Sequence, residues 1–357
     1  MQVLLACLAL LFLSVVIEAV AGWRCDLQGQ IPPPLTRPPE RAQATAGIEA
    51  YSRPEPDTYL GYPEWYIVWS YQEKADLQEK HLPSEFPYFA AVRQFWGGSC
   101  CITRLTKGSY AFNVAVIGTS FSVEYILKGA YEKTIGALTE WLSGNDPTEE
   151  DHFAYQVARQ YADFVHVRPF YEFPFLQQVK GLWGSTHLWG PHLLRKWERK
   201  VFLTLDYGIE GLYSWVMEKA SHATYGHEPA TTYVWMQNAD EALFLHIPHV
   251  KKVQQVGAGT YIAELPRYQE FTTVATALAA SDVHFVEIAG NTQILVSAIA
   301  PRSWRFDLSS GGPLFSEPIL TRPDQQRVLI RCPVSSLHTV LNELRARGIV
   351  LEHVYDY

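Results

Sequence analysis

The chain has 357 residues, beyond the usual size of one hydrophobic core, so two globular parts are expected. Its composition, 48% hydrophobic and 18% charged with prolines and glycines dispersed, is that of a folded protein rather than a disordered one. A formal net charge of -8 excludes a generic affinity for nucleic acid, because phosphate binding needs a clustered positive surface that releases counterions.

The first element is MQVLLACLALLFLSVVIEAVAGW. Residues 3–17 contain nothing ionisable, and such a run is at home only in lipid or in the translocation machinery. Residues 1–23 therefore read as a signal anchor or a cleaved signal peptide. Ala19-Val20-Ala21 suits signal peptidase, whereas a helix continued to Trp23 would set Glu18 and an interfacial ring at a membrane boundary. Arg24, Arg37 and Arg41 argue for a cytoplasmic body by the positive-inside rule. The signal-like architecture points the other way, to a membrane-anchored protein with a periplasmic or extracytoplasmic body. Cys7 lies in the apolar run, and the remaining Cys25, Cys100, Cys101 and Cys332 permit three disulfide pairings. A bridge between the adjacent pair would be strained, so buried thiols are expected at 100 and 101.

Residues 24–57 hold IPPPLTRPPE and SRPEPD and read as a semi-rigid, proline-rich linker. Residues 58–228 read as a helical, aromatic-rich domain. Its first stretch, YPEWYIVWS (62–70), offers two readings. Tyr62, Trp65, Tyr66 and Trp69 form a stacking platform with Glu64 accepting hydrogen bonds, or the run is a buried strand with Trp65, Ile67 and Trp69 on one face. SEFPYFAAVRQFW then suggests a helix. Residues 110–142 are apolar around nearly the whole circumference, which implies a central buried helix with Glu124 and Lys128 paired at i, i+4.

Asp146-Pro147-Thr148-Glu149 signals the next helix start, and Phe153, Val157, Tyr161 and Phe164 follow as one apolar stripe. A long helix over 193–219 carries Leu194, Trp197, Val201, Leu205, Ile209, Leu212 and Val216 on one face. Its other face begins with Arg195, Lys196, Arg199 and Lys200. Cations in a first turn oppose the helix dipole, so this face is expected to meet anionic lipid headgroups or plain solvent.

Residues 229–357 change pattern. The runs TTYVWM, GTYIAEL, HFVEIAG, QILVSAIA, RVLIRC and IVLEHVYDY read as strands, with RYQEFTTVATALAAS and VSSLHTVLNELRARG as helices. Two strand–helix–strand units predict a ferredoxin-like α+β sandwich with an extra strand and a long loop over 301–326. No internal repeat is evident. The fold class expected overall is α+β: a mainly helical domain and then the sandwich, behind the N-terminal membrane segment.

DTYLGYPEWYIVWS, GTSFSVEYILKGAYE and LEHVYDY resemble segments of a group of uncharacterised bacterial membrane-anchored proteins. The resemblance would cover most of the chain. It implies an envelope location and brings no activity, so no residue roles follow from it.

No nucleotide-binding, Ser-nucleophile or Cys-His signature occurs, no cofactor is implied, and enzyme status stays open. Ser99-Cys100-Cys101 after Gly97-Gly98 would expose a nucleophile if it lay on a turn. Glu124, Asp206 and Glu210 lie on apolar helices and could share a cleft suited to acid–base work, with ion pairing to Lys128 or nearby arginines the more common fate of such groups. The close pair His246 and His249 flanks Pro248, which breaks the helical spacing of a strong metal motif, so no metal site is expected. Candidate ligand-binding residues are Glu64, Trp65, Trp69 and Glu124. The expected function is a membrane-tethered envelope protein acting as a binding or assembly component, with membrane lipid and an envelope protein as partners. The alternative is an enzyme or carrier for an apolar ligand held in an aromatic pocket between the two domains.

Overall fold

A computed structural model describes residues 2–29, 37–49, 51–52, 57–224 and 231–357, with side chains for all of these except 2–8, 57 and 220–224. The chain forms two compact units. The first gathers residues 1–23, 63–97 and 112–228, and the second 24–62, 98–111 and 229–357.

The first unit is helical. α1 (Gln2–Gly22) is followed, after the short α2 (Arg41–Ala44) of the second unit, by residues 63–78 of α3 (Asp57–Gln78) and 88–97 of α4 (Tyr88–Leu105). α5 (Ala111–Tyr131) runs through a π-helical turn at Glu132–Gly136 into α6 (Ala137–Leu142). α7 (Glu149–Val165), α8 (Phe175–Ser185) and α9 (Leu193–Thr224) complete it.

Among the described residues no helix is long and apolar enough to cross a membrane. α1 rests on α4 instead: Glu18 pairs with Arg93 at 2.8 Å, and Trp23 lies 6.1 Å from Trp96. Leu10, Phe12, Leu13, Ile17 and Val20 of α1 stay exposed.

YPEWYIVWS is helix, not strand, and lies inside α3. Tyr62, Trp65, Tyr66 and Trp69 recur at i, i+3, i+4 and i+7 and are all buried, so the expected burial holds while the period is helical. The start of α7 is capped by Thr148, which lies within the Asp146–Glu149 start signal and exchanges hydrogen bonds with Asp151. The Phe153–Phe164 stripe packs as expected, joining Val157, Phe173, Phe175, Leu182 and Leu203 in one cluster.

α5 departs from the expected central buried helix. Val114, Gly118, Phe121, Tyr125 and Gly129 face inward, while Phe112, Val116 and Leu127 are exposed. Gly118 is required by close approach, since a Cβ there would lie 2.5 Å from Phe95 and 2.8 Å from Trp96. α9 departs further: Leu205, Ile209 and Leu212 are 59%, 67% and 63% exposed, whereas Arg195, Lys196, Arg199 and Lys200 are buried. The amphipathic helix is formed as the sequence indicates, but it is turned inside out.

The second unit holds the strands β1 (Thr231–Gln237), β2 (Lys251–Gly257), β3 (Thr260–Pro266) and β4 (His284–Ile288), with α10 (Leu243–His246) and α11 (Tyr268–Ala280) between them. β5 (Gln293–Pro301), β6 (Gly312–Ile319), β7 (Arg322–Pro333), α12 (Leu337–Ala346) and β8 (Val350–Val354) follow. They make two antiparallel four-stranded sheets of order β2-β3-β1-β4 and β6-β7-β5-β8. The expected single sandwich is therefore replaced by one βββαβ pattern used twice.

The registers match closely. Val234 sits opposite Ala263 and Ile288, as Val296 sits opposite Ile330 and Val354. The first-strand/fourth-strand ladders slip at equivalent points, Trp235/Met236 and Ser297/Ala298. Tyr233 O accepts from Ala289 N as Leu295 O accepts from Tyr355 N. This internal repeat is one of topology and register, which the sequence does not display. The two strands absent from the sequence reading, β2 and β6, are both edge strands. β6 occupies the expected 301–326 loop and carries Pro313 and Pro318, which edge strands tolerate.

The proline-rich stretch is not a bare spacer where it is described. Ala44 and Tyr51 pack on Trp235 and Ile262, and Arg41 grips the fully buried Glu287 with contacts of 2.9 and 3.0 Å. Gln28 N donates to Leu314 O at 2.8 Å. Cys25 is bonded to Cys101, and among the described side chains Cys100 and Cys332 are buried thiols. Cys101 was thus expected free and is not. The C-terminal EHVYDY is also buried, with Asp356 paired to Arg267 at 2.8 Å and His353 beside Thr272 of α11 at 3.1 Å.

Candidate functional site: a charged cavity in the helical unit

Lys128, on α5, projects its ammonium to the meeting point of three carboxylates. Glu124 Oε1 is one turn earlier at 2.9 Å, and Asp206 Oδ1 and Glu210 Oε1 of α9 lie at 3.1 and 3.2 Å. The i, i+4 spacing sets the first pair on one helix face, and the same spacing in α9 sets Asp206 and Glu210 on the face opposite it. The three carboxylates do meet, and they meet as ion-pair partners of Lys128, the more common of the two fates expected for them.

A cavity of about 60 Å³ adjoins this cluster. Tyr71 and Lys74 of α3, Tyr161 of α7, and Arg199 and Tyr207 of α9 contribute to its wall. Tyr71 donates its hydroxyl to Glu124 Oε2 at 2.5 Å, and the Lys74 ammonium lies 5.6 Å from the centre of the Tyr71 ring. Glu132 reaches the wall from the π-helical turn, where the extra residue rotates its side chain inward.

Protonation is unevenly distributed. Burial pushes the Glu210 carboxyl up to about 7; Lys128 opposes that rise, while Glu124 and Asp206 reinforce it. Burial and the neighbouring Lys128 lower Lys74. Lys128 is held well above its ordinary range against burial, by Asp206, Glu124 and Glu210. Glu124 is held below its usual value against burial, by Lys128 and Lys74. The cavity thus combines a fixed cation, a fixed anion and one carboxyl that exchanges its proton near neutrality, which is the equipment of an acid–base or ion-binding site.

A second layer of buried charge continues along the first turns of α9. Arg195 contacts Glu140, Asp151 and Glu198 at 3.0, 2.8 and 3.0 Å, and Arg199 contacts Glu132 and Asp151 at 2.8 and 3.1 Å. Lys196 meets Glu149 and Glu150, and Lys200 donates to Thr186 Oγ1 at 2.6 Å. The basic face therefore meets neither headgroups nor solvent. Carboxylates delivered by α6, α7 and the π-helical turn answer it.

Of the four candidate residues only Glu124 belongs to the cavity. Trp65 and Trp69 are core rings 6.2 Å apart, Trp65 also meeting His166 at 5.9 Å, and Glu64 is exposed. None of the three appears in the cavity wall. Lys74, Lys128, Tyr71 and Tyr161 were missed as site residues; the i, i+3 step from Tyr71 to Lys74 on an otherwise buried helix face was their available signal. Ser99 and Cys100 lie within α4, fully buried, so no nucleophile is exposed there, and burial pushes the Cys100 thiol up. His246 bonds a backbone carbonyl in α10. Among the described residues no group of three or more His, Cys, Asp or Glu could hold a metal ion. His227 lies outside the described residues.

The fold and site define an α+β protein with a helical part that holds a cluster of buried ionisable groups and a part built of two antiparallel sheets. No family model, curated protein or solved structure matches the chain.

Proposed function

We propose that the protein is a membrane-tethered envelope component that binds lipid through the helical unit, working as a binding or assembly factor. The observation that carries this reading is the inversion of α9. A helix in water turns its charges outward; this one buries four cations and exposes Leu194, Val201, Leu205, Ile209, Leu212 and Val216. A face of that kind is an interaction surface, and ionisable groups paired inside a helical bundle with apolar residues outside is the arrangement that hydrocarbon favours.

Further support comes from tryptophans on the exposed set, Trp141, Trp189 and Trp215, a residue suited to the water–lipid boundary. α1 adds Phe12, Ile17 and Val20 on the same unit. The Cys25–Cys101 bridge fits an oxidising compartment and hence an extracytoplasmic body. The seating is interfacial, with apolar faces pressed into the headgroup boundary.

Flotation of the full chain with vesicles of zwitterionic and anionic lipid tests it. The protein should rise with the vesicles at high salt, and the variant Leu205→Asn/Ile209→Asn/Leu212→Asn should stay in the dense fraction with its helical circular dichroism unchanged. Wild-type protein left in the dense fraction, or a dimer that the triple substitution dissociates, would overturn the lipid assignment.

A further inference from the structure

We infer that the cavity beside Lys128 binds a small organic ammonium ion, taken up in exchange for the proton on Glu210. The inference stands whether or not the helical unit meets lipid.

Charge is the first argument. Lys74, Lys128 and Arg199 face Glu124, Glu132, Asp206 and Glu210 around the cavity, so three cations stand against four carboxylates. With every group ionised one negative charge is left over in a water-poor space, and such a charge is costly unless a proton or a second cation answers it. Glu132 supplies an independent sign: it is 2% exposed, Arg199 engages its Oε1 at 2.8 Å, and its Oε2 has no hydrogen-bond partner.

The wall selects the kind of cation. Tyr71, Tyr161, Phe175, Phe202 and Tyr207 present rings, and aromatic faces attract organic ammonium groups. The Lys74 ammonium above the Tyr71 ring already makes that contact within the chain. A bare metal ion is poorly served, because Lys128 Nζ fills the point where Glu124, Asp206 and Glu210 converge. A volume of about 60 Å³, at about 10–15 Å³ for each water-sized group, takes roughly four to six such groups. Tetramethylammonium or a short amine is of that size.

The exchange is balanced. Glu210 faces Lys128 and Glu124 from α5, Asp206 from its own helix, Lys74 and Tyr71 from α3, and Tyr161 from α7. Its proton leaves to solvent, its carboxylate becomes the surplus charge, and the incoming ammonium neutralises it. Because burial raises Glu210 to about 7, the receptive form is the minority below neutrality and the majority above it.

Isothermal titration calorimetry of the full chain with tetramethylammonium chloride decides the matter, run at pH 6 and pH 8 in two buffers of different ionisation enthalpy. Affinity should rise about tenfold between these pH values, following the deprotonated fraction, with proton release per ion bound near one at pH 6 and much less at pH 8. Glu210→Gln should weaken binding at pH 8 and remove the pH dependence, and Lys74→Met, which removes a competing cation, should strengthen it. No heat above that of sodium chloride, binding independent of pH in the wild type, or an unaffected Glu210→Gln variant would each overturn the assignment.

Discussion

Leu194 and Arg195 are neighbours at the start of α9, and their environments are the reverse of their chemistry: the leucine is 61% exposed and the arginine 1%. Arg195 is tolerated inside because its guanidinium touches Glu140, Asp151 and Glu198. A planar fork with five donors can satisfy several carboxylate oxygens at once, which lysine cannot do.

Arg195→Met should therefore be among the most damaging single changes in the helical unit. It leaves Glu140 and Glu198 without the cation they share and Asp151 with Arg199 alone, a loss of about 3–5 kcal/mol by the usual cost of breaking a buried pair. Urea unfolding followed by circular dichroism measures it. Leu205→Ser and Ile209→Ser, on the exposed stripe, should change stability in detergent-free buffer by less than about 0.5 kcal/mol. If the leucine change proved the costlier, the inverted orientation of α9 would be wrong.

Glu210 predicts a pH dependence with a definite sign. Its folded-state value, about 7, lies above the ordinary carboxylate value of 4.5, so the folded state holds the proton more tightly than the unfolded chain. The stability it contributes is complete below pH 4.5 and is lost as pH rises through 7. Wild type should lose up to roughly 3 kcal/mol from this group between pH 4.5 and 8, and Glu210→Gln should not. The measurement is the difference between the two unfolding free energies at each pH, which cancels the other titrating groups.

The disulfide closes a long loop, since Cys25 and Cys101 are 76 residues apart. Chain-entropy reasoning gives it about 4 kcal/mol. Alkylation of the denatured, unreduced protein should label Cys100 and Cys332 but neither Cys25 nor Cys101, and reduction should expose both. A labelled Cys101 before reduction would contradict the pairing. Burial also pushes the Cys332 thiol up to about 12, so in the native protein it should resist alkylation at pH 8.

Arg41 holds the described part of the proline-rich stretch to the first sheet. Its contacts with Glu287, together with the Tyr51 hydroxyl at 3.1 Å, satisfy a carboxylate that is fully buried. Arg41→Ala should lower stability by about 2–4 kcal/mol, and Arg41→Ala/Glu287→Gln should recover part of that, because the second change removes the unanswered charge. Additive effects in the double variant would show that the pair does not interact.

The repeat places Glu287 and His353 at equivalent positions, opposite Trp235 and Ser297 of equivalent strands. Both are buried polar residues, yet their partners differ: Arg41 and Tyr51 for one, Thr272 and Gln269 for the other. The side chains differ while the register matches, so the repeat is invisible in the letters. Register is set by backbone pairing and alternation, which many sequences satisfy.

Local chemistry was enough to read β1, β3, β4, β5, β7 and β8 and the helices α7, α9, α11 and α12, because their periodicity is written in residues two to four apart. It also placed Glu124, Asp206 and Glu210 on helices able to share a cleft. It misread α3, where rings at i, i+3, i+4 and i+7 also alternate in part at period two, and it missed the edge strands β2, which has no buried residue to mark it, and β6, which carries two prolines. Only the tertiary structure decided which side of α9 faces inward. A stripe marks a helix as two-faced without saying which face is buried, and burying four cations is favourable only when carboxylates arrive from α6, α7 and the π-helical turn. Those partners lie tens of residues away along the chain, and no local pattern registers them.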